Sequence, residues 1–185
     1  IQPFSRTDNG GKTQTVTARS GRAPVTEQAT RIILKAEHLG TNAQEPSEGP
    51  IANLIDGNTA TFFHTAWSVA IPGPHWLQIR LPEALTEGHW KFWYAPRNNG
   101  RQKPTDFDIL VSTGGSDWTL VKKFTKDEDG LPVTATDAYT SPNLPVTQPF
   151  DHIRMVVNAV NSGEVFFTMS EFRLWQVKVV DPEAE

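Results

Sequence analysis

Residues 74–112, PHWLQIRLPEALTEGHWKFWYAPRNNGRQKPTDFDILVS, decide the fold. Leu77, Ile79 and Leu81 alternate with Gln78 and Arg80. Trp90, Phe92 and Tyr94 alternate with Lys91 and Trp93, and Phe107, Ile109 and Val111 with Asp108 and Leu110. Successive side chains of a strand point to opposite faces, so each run sends one apolar set to one side of a sheet. The same period returns in Ile153, Met155 and Val157 around Arg154, and in Phe172 and Leu174 around Arg173. No segment shows helical periodicity. The 14 prolines and 13 glycines fall between the runs, as the corners of an all-β sandwich or barrel require.

Residues 1–29 differ in composition. They are polar, with one short alternating patch from Thr13 to Thr17 and glycines on either side. Such a segment buries little apolar surface alone and reads as a linker or the tail of a preceding domain. The folded domain is expected over 30–180, with 181–185 as a short tail. The chain opens at Ile1 with neither an initiator Met nor a charged-then-apolar leader, which reads as a module from a larger protein.

Composition removes several function classes. A net charge of -4 and a pI near 5.7 give no electrostatic basis for nucleic acid as partner. No apolar run approaches the ~20 residues of a membrane-spanning helix. Without cysteine there is neither a disulfide nor thiol chemistry. Asp127, Glu128 and Asp129 in KDEDG look like a solvated charge run, not the spaced acid pair of a glycosidase. No serine lies in a G-x-S-x-G setting, and His38, His64, His75, His89 and His152 lack metal-ligand spacing. The expectation is a domain that is not an enzyme.

Residues 51–67, IANLIDGNTATFFHTAW, carry the chemistry. Asp56-Gly57-Asn58 reads as a turn in which Gly57 adopts positive φ and lets carbonyls as well as side chains point inward. A curled loop with one or two carboxylates suits a hard cation such as Ca²⁺, which takes six to eight oxygens at about 2.3–2.6 Å. The same residues also suit an Asx turn in which Asp56 caps nearby N–H groups while Glu171 enters a salt bridge.

This stretch resembles the D-G-[ND]-x-x-T-x-[WF]-H-T-x-W signature of F5/8 type C, or discoidin-like, domains, which overlap carbohydrate-binding module family 32. The later pieces follow in the family's order. Pro74-His75-Trp76 precedes LQIRL, FWYAPRNNGRQKPTDFDILVS matches Y-x-P-R…G-R-x-x-D-F-x-I-x-V-S, and Asp117-Trp118, HIRMVV and MSEFRLW come after. The match runs from roughly residue 30 to 177. Phe63 stands where Trp is commoner, and the terminal disulfide of animal members is absent, so the likeness is closer to bacterial modules. The resemblance implies an eight-stranded antiparallel jelly-roll β-sandwich with its loops clustered at one end. It also implies a structural Ca²⁺ held by Asp56, Asn58, Thr61 and Glu171.

The resemblance further implies a sugar site for terminal galactose or N-acetylgalactosamine. His64 and Arg97 would hydrogen-bond the hydroxyls, with Asn98 or Asn99 completing the set; a planar guanidinium offers several rigid donors to adjacent hydroxyls. A pyranose also presents an apolar C–H face that packs on an aromatic ring. NSGEVFFTMSEF offers Phe166 and Phe167, of which alternation sends one to the core or leaves both there, and Trp67 is a second platform. Glu45 and Glu48 in the first loop are further contacts. Arg97, Arg101 and Lys103 in RNNGRQK lack an apolar tip, which argues against a lipid surface. The function expected is a non-catalytic carbohydrate-binding module of a larger bacterial protein that is secreted, periplasmic or on the cell surface. The alternative is a protein-interaction or spacer domain of the same fold.

Overall fold

The structure, a computed structural model, describes residues 4–7, 13–16, 26–134 and 137–180. The expected tail 181–185 and much of the expected linker 1–29 lie outside them. Contacts divide the chain into two compact units, one of Ile1–Gln28 with Val179–Glu185 and one of Ala29–Lys178. In the first, β1 (Phe4–Thr7) and β2 (Thr13–Val16) form an antiparallel hairpin.

The second unit is an antiparallel β-sandwich. Its strands are β3 (Thr26–Ile32), β4 (Leu39–Thr41), β5 (Phe63–His64), β6 (His75–Leu85), β7 (His89–Ala95), β8 (Pro104–Ser112), β9 (Thr119–Thr125), β10 (Tyr139–Thr140), β11 (Leu144–Pro145), β12 (Phe150–Val160), β13 (Thr168–Met169) and β14 (Glu171–Val180). One sheet runs β4-β6-β12-β8-β9 and the other β10-β7-β14-β3. β10 pairs with Trp93 and Tyr94 of β7, and β11 with His89 and Trp90, so the two short pieces occupy successive stretches of the same edge.

The alternating runs form the core as their period requires. Leu77, Ile79, Trp90, Phe92, Tyr94, Phe107, Ile109, Ile153, Met155, Phe172 and Leu174 are all buried. Phe92 of one sheet meets Phe107 and Phe124 of the other edge-on, with centroids 6.1 and 5.4 Å apart, and stacks on Phe172 at 5.9 Å. Each such ring contributes about 1.5–3 kcal/mol by leaving water, and an aromatic pair adds about 0.5–1.5 kcal/mol. The paired sheets bring three segments to one rim: the loop after Ile51–Ile55, the 96–103 loop after β7, and the 161–167 loop after β12.

Candidate functional site

β5 is two residues long and pairs with β13, His64 opposite Thr168 and Phe63 opposite Met169. Alternation turns Phe63 into the core, edge-on to Phe167 at 5.7 Å, and leaves Phe62 and His64 on the rim side. The His64 ring lies 6.4 Å from Phe62, 6.4 Å from Trp67 and 5.7 Å from Phe166. The Arg97 guanidinium sits 3.5 Å over the Phe62 ring, and among the described residues it has no acidic partner. His64, Arg97, Trp67 and Phe166 therefore belong to one contiguous cluster, with Phe62 as the link between imidazole and guanidinium.

His64 is 2% exposed. Its Nδ1 lies 2.6 Å from the Thr65 carbonyl; a carbonyl only accepts, so Nδ1 carries the proton and Nε2 keeps a lone pair. Burial holds its pKa below the ordinary histidine value, opposed by the Thr65 carbonyl and the Glu48 charge. The backbone is fixed as well: His64 N–H donates to the Gly49 carbonyl at 3.0 Å, Thr65 N–H to Phe167 O at 3.1 Å, and Phe167 N–H to Thr65 Oγ1 at 2.8 Å.

The acids of the first loop take different roles. Glu48 accepts the Trp67 indole N–H at 3.1 Å and so orients a ring that is 51% exposed. Glu45 is 2% exposed and is consumed by structure. It accepts from Ser47 N–H and Oγ, Ser68 N–H and Oγ, and Trp67 N–H at 2.6–3.1 Å. Burial pushes its carboxyl up, but these donors outweigh that and hold it well below the usual carboxylate range.

One expected contact needs correction. Phe167 is 0% exposed, because its backbone is locked to Thr65 and its ring fills the core beside Phe63; Phe166 is the ring on the rim. Asn99 is exposed, and its side chain donates to Gln102 Oε1 at 3.2 Å and accepts Arg101 N–H at 3.2 Å. Asn98 is exposed and faces a hollow of about 650 Å³ lined also by Thr59, Phe62, Trp93, Arg97 and Ser170. His64, Trp67 and Phe166 do not line it.

Phe62, Trp93, Ser170 and Lys103 are rim residues absent from the sequence expectation. Lys103 is fully buried, and its ammonium donates to the Arg97 carbonyl. Burial, with the Arg97 charge beside it, holds its pKa below the ordinary lysine value. Alternation with His64 was the available signal for Phe62; for a buried lysine there was none.

In the Asp56 loop, Gly57 has φ +79° and donates its N–H to Glu171 Oε1 at 2.6 Å. Asp56 accepts from Asn58 N–H at 2.8 Å and from Thr61 Oγ1 at 2.7 Å, and the Asn58 carbonyl lies 2.7 Å from the same hydroxyl. The Thr61 hydroxyl is the main cause that lowers the Asp56 pKa, against burial, with help from Asn58 N–H and from Glu171. Glu171 is fully buried; its Oε2 has no hydrogen-bond partner but forms an ion pair with Arg173 Nε at 3.5 Å, as the salt-bridge alternative expected. Two adjoining carboxylates need a shared proton or a cation between them. The donors are all oxygen, so the set fits a hard cation. Among the described residues no cluster of three or more His, Cys, Asp or Glu exists, so carbonyls and hydroxyls would complete the shell.

Comparison with known proteins agrees on the architecture. The model of the F5/8 type C domain matches residues 34–172. A sialidase of Micromonospora viridifaciens is 27% identical over 176 residues, 91% of this chain and 24% of the sialidase. An A type blood N-acetyl-alpha-D-galactosamine deacetylase of Flavonifractor plautii is 30% identical over 89 residues, 42% of this chain and 11% of that protein. The chain thus spans a quarter or less of these relatives. Two solved structures from Clostridium perfringens share the fold. The CpGH89CBM32-5 module, in complex with GalNAc-beta-1,3-galactose, superposes with a TM-score of 0.64 at 17% identity, covering 78% of this chain and 99% of that one. The family 32 module of NanJ, in complex with galactose, gives 0.59 at 22%, covering 80% and 100%.

Proposed function

This chain belongs to the F5/8 type C domain family, and on that premise we propose that it is a non-catalytic carbohydrate-binding module that recognises a terminal galactose or N-acetylgalactosamine. It serves a larger bacterial protein that is secreted, periplasmic or on the cell surface. The observation that carries this reading is the continuous cluster of His64, Phe62, Arg97, Phe166 and Trp67 on one rim.

Each group has a task that its geometry permits. The Nε2 lone pair of His64 accepts a sugar hydroxyl, and the unpaired Arg97 guanidinium donates to the neighbouring one. Phe166, with Trp67 held by Glu48, receives the apolar face of the ring. Asp56, Asn58, Thr61 and Glu171 hold a structural Ca²⁺ that ties the first loop to the start of β14. A few hydrogen bonds and one ring contact give an affinity of about 0.1–1 mM, roughly −4 to −5.5 kcal/mol. Retention then depends on multivalency or on a tethered neighbour.

A glycan array probed with the wild type, His64→Ala and Arg97→Ala tests the site. Galactose-terminated glycans are expected to bind the wild type and neither variant. Signal that survives both substitutions overturns it.

A further inference from the structure

The hollow beside the His64 cluster has a chemistry of its own. Its volume of about 650 Å³ falls within the range of about 300–1,000 Å³ typical of ligand sites. Trp93 supplies an aromatic surface that is already fixed. Its cross-strand partner Arg173 places a guanidinium 4.4 Å from the indole centroid, and Thr140 pairs with it on the other side. Ser170, 1% exposed, also lines the hollow, and its Oγ has no hydrogen-bond partner. Its backbone N–H donates to the Ala95 carbonyl at 2.8 Å, so the residue is held where the β7–β14 register puts it. A buried hydroxyl left unpaired costs free energy that a ligand hydroxyl would recover. Asn98 adds an amide with both donor and acceptor, and Thr59 a hydroxyl.

No carboxylate lines this hollow, and its single charged group is Arg97. An aromatic surface beside neutral hydroxyl and amide groups selects a neutral, polyhydroxylated ring with an apolar face. Phe62 and Arg97 belong both to the hollow and to the His64 cluster. We infer that the hollow is a second sugar subsite, taking the pyranose that follows the ring bound at His64, so that the module reads an oligosaccharide. This rests on the first-site reading above.

The test is an amide and indole NMR titration of the whole chain with methyl β-galactoside, lactose and GalNAc-β-1,3-galactose. All three ligands are expected to move the His64 and Phe166 resonances. Only the disaccharides move the Trp93 indole N–H and the Ser170 amide. Ser170→Ala removes an unpartnered atom and keeps the fold. It should weaken disaccharide binding roughly 3- to 10-fold, the worth of one neutral hydrogen bond, and leave methyl β-galactoside unchanged. Silence at Trp93 and Ser170 with both disaccharides overturns the subsite, whatever His64 does. Equal response of Trp93 to the monosaccharide overturns its role as a continuation site. Silence at His64 and Phe166 while Trp93 and Ser170 respond retires the first-site reading and leaves the hollow as a sugar site.

Discussion

Gly49 sets the height of the His64 backbone, and replacing it with alanine is a direct test of how the rim is built. A Cβ at this position would lie 2.7 Å from His64 N, 2.9 Å from His64 Cβ and 3.2 Å from Phe62 Cδ2. The first is backbone and cannot swing away. Gly49 also has φ +59°, which costs a residue with a Cβ about 1–2 kcal/mol. Its carbonyl accepts His64 N–H and Gln44 Nε2, both at 3.0 Å, so withdrawing the loop weakens two hydrogen bonds worth about 0.5–1.5 kcal/mol each. The sum is about 2–5 kcal/mol, and at about 2–4 °C per kcal/mol for a chain of this size the melting temperature falls by roughly 4–20 °C. Gly130→Ala is the control: its φ is +66° and a Cβ there meets nothing within 4 Å, so it incurs only the backbone cost of about 1–2 kcal/mol. Urea denaturation gives both values, and galactose titration of the folded fraction reads the site. Gly49→Ala should lose more stability than the control and most of its sugar affinity. Equal destabilisation in the two variants, with unchanged affinity, refutes the claim that this contact positions His64.

Three further outcomes follow from the rim. The folded chain depresses the His64 pKa, so the native state binds fewer protons than the unfolded one. The stability tied to neutral His64 is complete above the unfolded value of about 6.5 and is lost as pH falls through the folded value. Galactose affinity falls in the same window, because protonated Nε2 no longer accepts, and calorimetric titration from about pH 8 to 4.5 shows it unless His64 is not a contact. Calcium at 100 times its dissociation constant stabilises by about 2.7 kcal/mol. That is roughly 5–10 °C in a thermal melt, and the gain should vanish with EDTA or in Glu171→Gln; a wild-type melt indifferent to calcium removes the ion from the proposal. Lys103→Met deletes the donor to the Arg97 carbonyl while relieving a buried charge. Thermal stability should move little and the galactose Kd rise roughly 5-fold, about 1 kcal/mol; an unchanged Kd shows that the ammonium does not place Arg97.

What was legible in the sequence is what a period of two can encode. The core runs were readable because burial selects alternate side chains, and Phe62 was readable from His64 by the same rule. Phe166 and Phe167 were not separable: two adjacent aromatics satisfy either phase, and the choice is made by Thr65, 102 residues from Phe167, through their paired hydrogen bonds. The hollow was hidden for a related reason. Trp93 and Ser170 meet only through the β7–β14 register, in which Glu171 lies opposite Ala95 and Arg173 opposite Trp93, and register is a long-range property that neither segment states alone. Lys103 and Glu45 run against composition rules, since charged side chains are almost never buried without partners. Their partners, the Arg97 carbonyl and the donors of residues 47, 67 and 68, exist only once the loops have converged.

Those buried polar groups say something about where the fold commits its stability. Glu45, His64, Thr65, Lys103, Thr168, Ser170 and Glu171 are all buried, and they sit in or beside the loops of a single rim. Burying a polar group costs free energy unless each donor and acceptor is matched. The side chains of Glu45 and Thr65 are matched more than once, and those of His64 and Lys103 each make one hydrogen bond. Three of their oxygens lack a hydrogen-bond partner, Thr168 Oγ1, Ser170 Oγ and Glu171 Oε2, of which Ser170 lines the hollow and Glu171 meets the Asp56 loop through Gly57 N–H. Under the two proposals above, a ligand hydroxyl would satisfy Ser170 Oγ and a cation would satisfy the Glu171 carboxylate.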